Sequence, residues 1–151
     1  MIAPVTLVIP ADIVATGITE TGAEDTLDGF TVRTTEYETE ASMPSSLPPS
    51  SDFTYCVELS IDGYPNARFD QHVVVWLPDF LGFLVGDLVP VGYYDRAAGA
   101  WMPTPDGIVV EVLDTDGDTL IDALDATGDG VPDDLNGDGT FTDEVHGITD
   151  A

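Results

Sequence analysis

Phe53-Thr54-Tyr55-Cys56-Val57-Glu58-Leu59-Ser60-Ile61 sets Phe53, Tyr55, Val57, Leu59 and Ile61 at every second position. That is the period that turns one face of a β-strand into a core. The same alternation runs through Val5, Leu7 and Ile9 and returns at Ile108, Val110 and Val112. Phe30 to Tyr37 is rich in Thr and Val, and Val73 to Leu77 is a continuous apolar run of the kind a buried strand carries. Val89 to Tyr94 and Ala100 to Met102 flank Asp95-Arg96-Ala97-Ala98-Gly99, which reads as a hairpin turn. Nothing before residue 113 sustains helical periodicity. The expected class is all-β: an antiparallel β-sandwich over residues 1–112, followed by an Asp-rich calcium-binding loop segment over 113–151.

Between the second and third expected strands, Ser42 to Ser51 is a run of Ser and Pro that reads as a connector. Its serines lack the Gly-x-Ser-x-Gly setting of a hydrolase nucleophile. His72 and His146 stand apart from other nitrogen ligands, so neither suggests a zinc site. Cys56, the single cysteine, cannot form an intrachain disulfide and reads as an inert, buried thiol. No pair of carboxylates ahead of Leu113 stands out as an acid and a nucleophile or base. The expectation is that the chain is not an enzyme.

Charge narrows the partners. The 151 residues hold 29 Asp and Glu against three Arg and no Lys, a formal charge of −26, although 43% of the chain is apolar. That apolar share excludes an acidic disordered tail. The charge excludes nucleic acid and anionic lipid, whose phosphates need Lys and Arg. The apolar stretch from His72 to Tyr94 is broken by Pro78, Asp79, Asp87, Pro90 and glycines, so no membrane insertion is expected. MIAPVTLVIPADIV lacks a basic residue ahead of its apolar run and is interrupted at Pro4 and Pro10, which is not a signal-peptide pattern. An extracellular chain of this kind is expected to be a mature form or an excised segment.

The composition changes at Leu113. From Asp114 the chain reads DTDGDTLIDALDATGDGVPDDLNGDGTFTDE, with no Lys or Arg up to Ala151. In a calcium loop, side-chain oxygens at positions 1, 3 and 5 converge on the ion, position 7 offers a carbonyl, and positions 9 and 12 complete the shell. A first register places Asp114, Asp116 and Asp118 at 1, 3 and 5, Leu120 at 7, Asp122 at 9 and Asp125 at 12, with Thr119 where glycine is usual. A second begins at Asp125, with Thr127, Asp129, Val131 and Asp133 at 3, 5, 7 and 9. A third begins at Asp134, with Asn136 and Asp138 at 3 and 5 and Thr140 at 7. Position 12 of that register is Val145, so its closing carboxylate is either Asp143 or Glu144. Three registers about ten residues apart are a specific signal. They predict about three Ca²⁺ ions. Leu120, Ile121, Leu124, Val131, Leu135 and Phe141 recur between the acids and are expected to supply small apolar contacts.

This segment resembles the aspartate-rich calcium repeats of thrombospondin type 3, and DLNGDGTFTDE also resembles a dockerin or EF-hand loop. VTLVIPADIVATG resembles the opening strand of the domain shared by zona-occludens and netrin-receptor proteins. FTYCVELSIDG and the stretch from Leu77 to Asp118 are similar to segments of bacterial surface proteins of the Rhs or YD-repeat type. These resemblances imply a secreted or cell-surface structural module. Two other functions are compatible with the sequence. One is a calcium-dependent subunit of an extracellular filament that exchanges the strand Val5 to Ile9 with copies of itself or other protein neighbours. The other is an adhesin presenting Tyr64, Trp76, Tyr93, Tyr94 or Trp101 to a glycan or protein, although these aromatics lie in strand-like runs and suit packing.

Overall fold

A computed structural model of the chain describes residues 5–146; the readings placed on Met1, Pro4 and the last five residues lie outside them. The described residues form thirteen strands and two single-turn 3₁₀ helices, so the all-β class holds. In chain order the strands are β1 (Thr6–Val8), β2 (Ala15–Ile18), β3 (Glu24–Leu27), β4 (Val32–Glu36), β5 (Val57–Ile61), β6 (Asn66–Phe69) and β7 (Val74–Trp76). They continue as β8 (Leu88–Val89), β9 (Gly92–Asp95), β10 (Ala100–Pro103), β11 (Gly107–Ile108), β12 (Glu111–Leu113) and β13 (Ala123–Asp125). They pair in small sheets: β3-β2-β6 is three-stranded, and β1-β7, β4-β5, β8-β11, β9-β10 and β12-β13 are two-stranded.

The chain divides into two compact units. The first is built mainly from Ile9–Val73 and Tyr94–Met102. In it only the second half of the alternating stretch, Val57–Ile61, becomes a strand, β5, with Leu59 exposed rather than in the core; it pairs antiparallel with β4 from Val32↔Ile61 to Glu36↔Val57. The Tyr37 N–H donates to the Cys56 carbonyl at 2.9 Å and carries the pairing past the strand end. β2 is the centre of the three-stranded sheet, and its Ala15 and Gly17 are buried. Gly17 is required there: a Cβ at that position would lie 2.5 Å from Cδ1 of Tyr64, whose ring lies over the strand. The Asp95 carboxylate accepts the Ala97 and Ala98 N–H groups at 2.9 and 3.0 Å, forming the expected turn between β9 and β10. On this hairpin the Tyr94 and Trp101 rings meet at 5.4 Å, and Trp101 Nε1 donates to the Ser46 carbonyl at 3.0 Å, fixing the Ser/Pro connector.

The second unit holds β1, β7, β8, β11, β12, β13 and the acidic segment. β1 pairs antiparallel with β7 through Thr6↔Trp76, Leu7↔Val75 and Val8↔Val74. Strand pairing does not stop at Leu113: β12 pairs with β13, inside the acidic segment, through Glu111↔Asp125, Val112↔Leu124 and Leu113↔Ala123. Ala123, Leu124 and Asp125 are all 0% exposed. The 3₁₀ helix Glu144–His146 packs against β13. Of the apolar residues expected to pack between the acids, Leu124 is buried and Leu135 half-buried, whereas Leu120, Ile121, Val131 and Phe141 are exposed. No helix among the described residues is long and apolar enough to cross a membrane.

Candidate metal centre

The three registers fold into three loops with one repeated hydrogen-bond frame. In each, the position 1 aspartate accepts the N–H groups of positions 4 and 6. Asp114 accepts from Gly117 and Thr119 at 2.7 and 2.8 Å. Asp125 accepts from Gly128 and Gly130 at 2.7 Å each. Asp134 accepts from Gly137 and Gly139 at 2.6 and 2.8 Å. Both donors must have positive φ for their N–H groups to point inward, a conformation that suits glycine. Gly117, Gly128, Gly130, Gly137 and Gly139 all have φ between 78° and 89°. Thr119 adopts the same conformation at φ 76°, alone among the described non-glycine residues.

That exception carries a prediction. A β-branched side chain in the left-handed region costs roughly 1–2 kcal/mol, partly offset by the entropy an unfolded glycine gains. Thr119→Gly is therefore expected to stabilise the protein by up to about 1 kcal/mol, read by urea denaturation in calcium-free buffer. A destabilised variant would show that the threonine contributes more than its backbone costs.

The rest of the frame repeats as well. The Asp116 and Asn136 side-chain oxygens at position 3 accept the N–H of position 5, at 3.0 and 2.9 Å. At position 3 of the second loop, Thr127 instead directs its hydroxyl to Asp125 Oδ1 at 3.2 Å. The position 5 carboxylates of Asp118, Asp129 and Asp138 accept from Leu120, Val131 and Thr140 at 2.8, 2.9 and 2.7 Å, fixing the backbone of the residues expected to offer carbonyls. At position 9, Asp122 accepts the Thr115 N–H at 2.9 Å and its hydroxyl at 2.6 Å. Asp133 accepts the Ala126 N–H at 2.8 Å. The main-chain N–H groups of Asp122 and Asp133 in turn donate to the carbonyls of Leu113 and Leu124, at 2.9 and 2.8 Å. The first two loops are thereby each tied back to the residue before them.

In the first loop the result is a converging triad. One carboxylate oxygen from each of Asp114, Asp116 and Asp122 lies within 4.8 Å of the others, close enough to bind one metal ion. Asp118 stays in the loop turn, while Asp125, expected at position 12 of this register, commits both oxygens to second-loop amides. In the third loop the candidates Asp143 and Glu144 arrive together. Glu144 is 0% exposed and accepts the Leu135 N–H at 2.9 Å. Thr115, Ala126 and Leu135, the position 2 residues that steady the closing carboxylates, were not marked by their side-chain chemistry; only their fixed place after each opening aspartate signals them. The His146 side chain lies outside the described residues.

Amide hydrogen bonds set the electrostatics. The Thr119 and Gly117 N–H groups hold Asp114 below the ordinary aspartate range. Burial alone would raise Asp125, but the amides of Gly130, Gly128 and Thr127 outweigh it and lower its pKa. The Thr140 amide likewise lowers Asp138, whereas desolvation raises Asp143, reinforced by the charges of Asp138 and Glu144. A carboxylate depressed by folding contributes stability above its unfolded pKa, and that contribution is lost as pH falls through the folded value. Asp143 has the opposite sign. With Asp62 also held down by its hydrogen bond to Arg33, four lowered carboxyls stand against one raised, and the ion-free protein is expected to melt lower as pH falls below the ordinary value of 3.8. Melting curves in calcium-free buffer at about pH 6 and about pH 3 check this, and a higher melting point in acid would contradict it.

The three arginines are all committed ahead of Leu113: Arg33 pairs with Asp62, Arg68 with Glu24 at 3.1 Å and Arg96 with Glu58 at 2.8 Å. Compared with known proteins, the chain matches no family model, no curated protein and no solved structure.

Proposed function

We propose that this chain is a non-enzymatic structural module of an extracellular or cell-surface protein, whose C-terminal loops bind about three Ca²⁺ ions for stability. The observation that carries the reading is the convergence of Asp114, Asp116 and Asp122 in a loop that no arginine of the chain neutralises. Opposing carboxylates at this range favour a hard divalent cation, and an all-oxygen donor set favours calcium over zinc or copper. Extracellular calcium at about millimolar concentration fills even weak sites, so binding of this kind serves folding rather than signalling. The resemblance to thrombospondin type 3 repeats supports the same reading, and in it the strands ahead of Leu113 form the body of a sandwich. Calorimetric titration of the full chain with calcium is expected to show saturable binding of more than one ion. No heat of binding at millimolar calcium would end the proposal. Turnover of a glycan or peptide that disappears on replacing an Asp or Glu ahead of Leu113 would overturn its non-enzymatic part.

Self-assembly is a second reading, favoured by the β1-β7 sheet. Its three residue pairs join segments far apart in sequence, and β7 of a second copy offers the same partner. Calcium-dependent polymers in solution would support it; a calcium-bound monomer at high concentration would not. The adhesin reading gains nothing from Tyr64, packed over Gly17, or from Tyr94 and Trp101, packed on each other.

A further inference from the structure

We infer that the third loop is a closed cation centre completed by Glu144, and that it binds its ion more tightly than the open triad of the first loop. The inference rests on the calcium reading above and assigns the sites different ranks.

The register explains why the closing ligand moves. In the first two loops the closing carboxylate is at position 9 and accepts the N–H of position 2: Asp122 from Thr115, Asp133 from Ala126. Position 9 of the third loop is Thr142, which carries no carboxylate. The chain runs two residues further, and Glu144, one methylene longer than aspartate, accepts the equivalent N–H from Leu135 at 2.9 Å. Glu144 therefore holds the closing place in the repeated frame. It does so from the 3₁₀ helix that packs on β13.

Burial then separates this centre from the first. Glu144 is 0% exposed, and its second oxygen, Oε2, has no hydrogen-bond partner among the described residues. Asp143 Oδ1 is likewise buried and unpartnered. A buried carboxylate oxygen without a donor is unfavourable, and two on neighbouring residues are worse. A cation held between them supplies the missing partner. Asp134, Asn136 and Asp138 of the same loop accept its own amides through one side-chain oxygen or both, and the Thr140 carbonyl is the remaining expected donor. With Asp143 and Glu144 these provide enough oxygens for the six to eight ligands that calcium takes. The first loop has no fully buried carboxylate: Asp114 and Asp116 are exposed and Asp122 half-buried, so water completes more of its shell, whereas in the third loop Glu144 is fully buried although Asp138 is exposed. More protein ligands in a less hydrated site give the higher affinity.

Calcium titration of the full chain by calorimetry, at fixed ionic strength, tests the ranking. Wild type is expected to show a tight and a weak class of site. Glu144→Gln keeps the side-chain volume and an oxygen for the Leu135 N–H but removes the charge, and is expected to weaken the tight class roughly tenfold or more while the weak class persists. Asp138→Asn, which keeps an oxygen for the Thr140 N–H at an exposed position, should do the same. Asp116→Asn should weaken the weak class alone. A tight class that survives both Glu144→Gln and Asp138→Asn, or one that Asp116→Asn removes, overturns the inference while leaving calcium binding intact. Wild type that binds no calcium overturns the underlying reading instead.

Discussion

Leu124→Ala is expected to cost about 2–5 kcal/mol, the range for emptying a buried aliphatic site that its surroundings cannot fill. Leu124 is fully buried on β13 between Ala123 and Asp125, which are fully buried as well. β12 faces it through Val112, and the 3₁₀ helix bearing Glu144 packs on the same strand. Its carbonyl accepts the Asp133 N–H at 2.8 Å, tying the second loop to the strand. Loss of the side chain therefore loosens the support shared by the loops as well as creating a cavity. Urea denaturation in saturating calcium measures the cost, and calcium titration of the same variant should show weakened binding. A loss below about 1 kcal/mol would mean that the strand collapses around the gap and that Leu124 does not anchor the loops.

How much of this was legible depends on where the order comes from. β5 was readable because Val57, Leu59 and Ile61 alternate and its partner β4 is rich in β-formers. β2 and β3 were not, because Ala15-Thr16-Gly17-Ile18 and Glu24-Asp25-Thr26-Leu27 carry little apolar pattern; pairing with each other and with β6 makes them strands. The loop registers were readable from aspartate spacing alone, since positions 1, 3 and 5 are local. The choice between Asp143 and Glu144 was left open, because Glu144 reaches the Leu135 N–H only after a two-residue detour that no spacing rule contains. Apolar packing between the acids was also overestimated: Leu120, Ile121, Val131 and Phe141 are exposed. Loops this short are ordered by carboxylates accepting their own amides, and Leu124 alone among those residues is fully buried.

Withdrawing calcium should then lower the melting temperature substantially. A site whose ion is present at 100 times its dissociation constant contributes about 2.7 kcal/mol to the folded state. For a chain of this size that corresponds to roughly 5–11 °C per filled site, taking about 2–4 °C per kcal/mol. The effect should be specific to divalent ions. The triad oxygens lie within 4.8 Å of one another, inside the screening length of about 8 Å at physiological salt. Sodium chloride therefore relieves their repulsion only weakly, whereas a coordinated Ca²⁺ replaces repulsion with attraction. Thermal melts in chelator, in chelator with added sodium chloride, and in millimolar calcium separate the two effects. Calcium should raise the melting point well above both other conditions. Equal recovery in sodium chloride would show that the acidic loops only repel one another as a solvated surface, and a melting point indifferent to chelator would remove calcium from the account of this fold altogether.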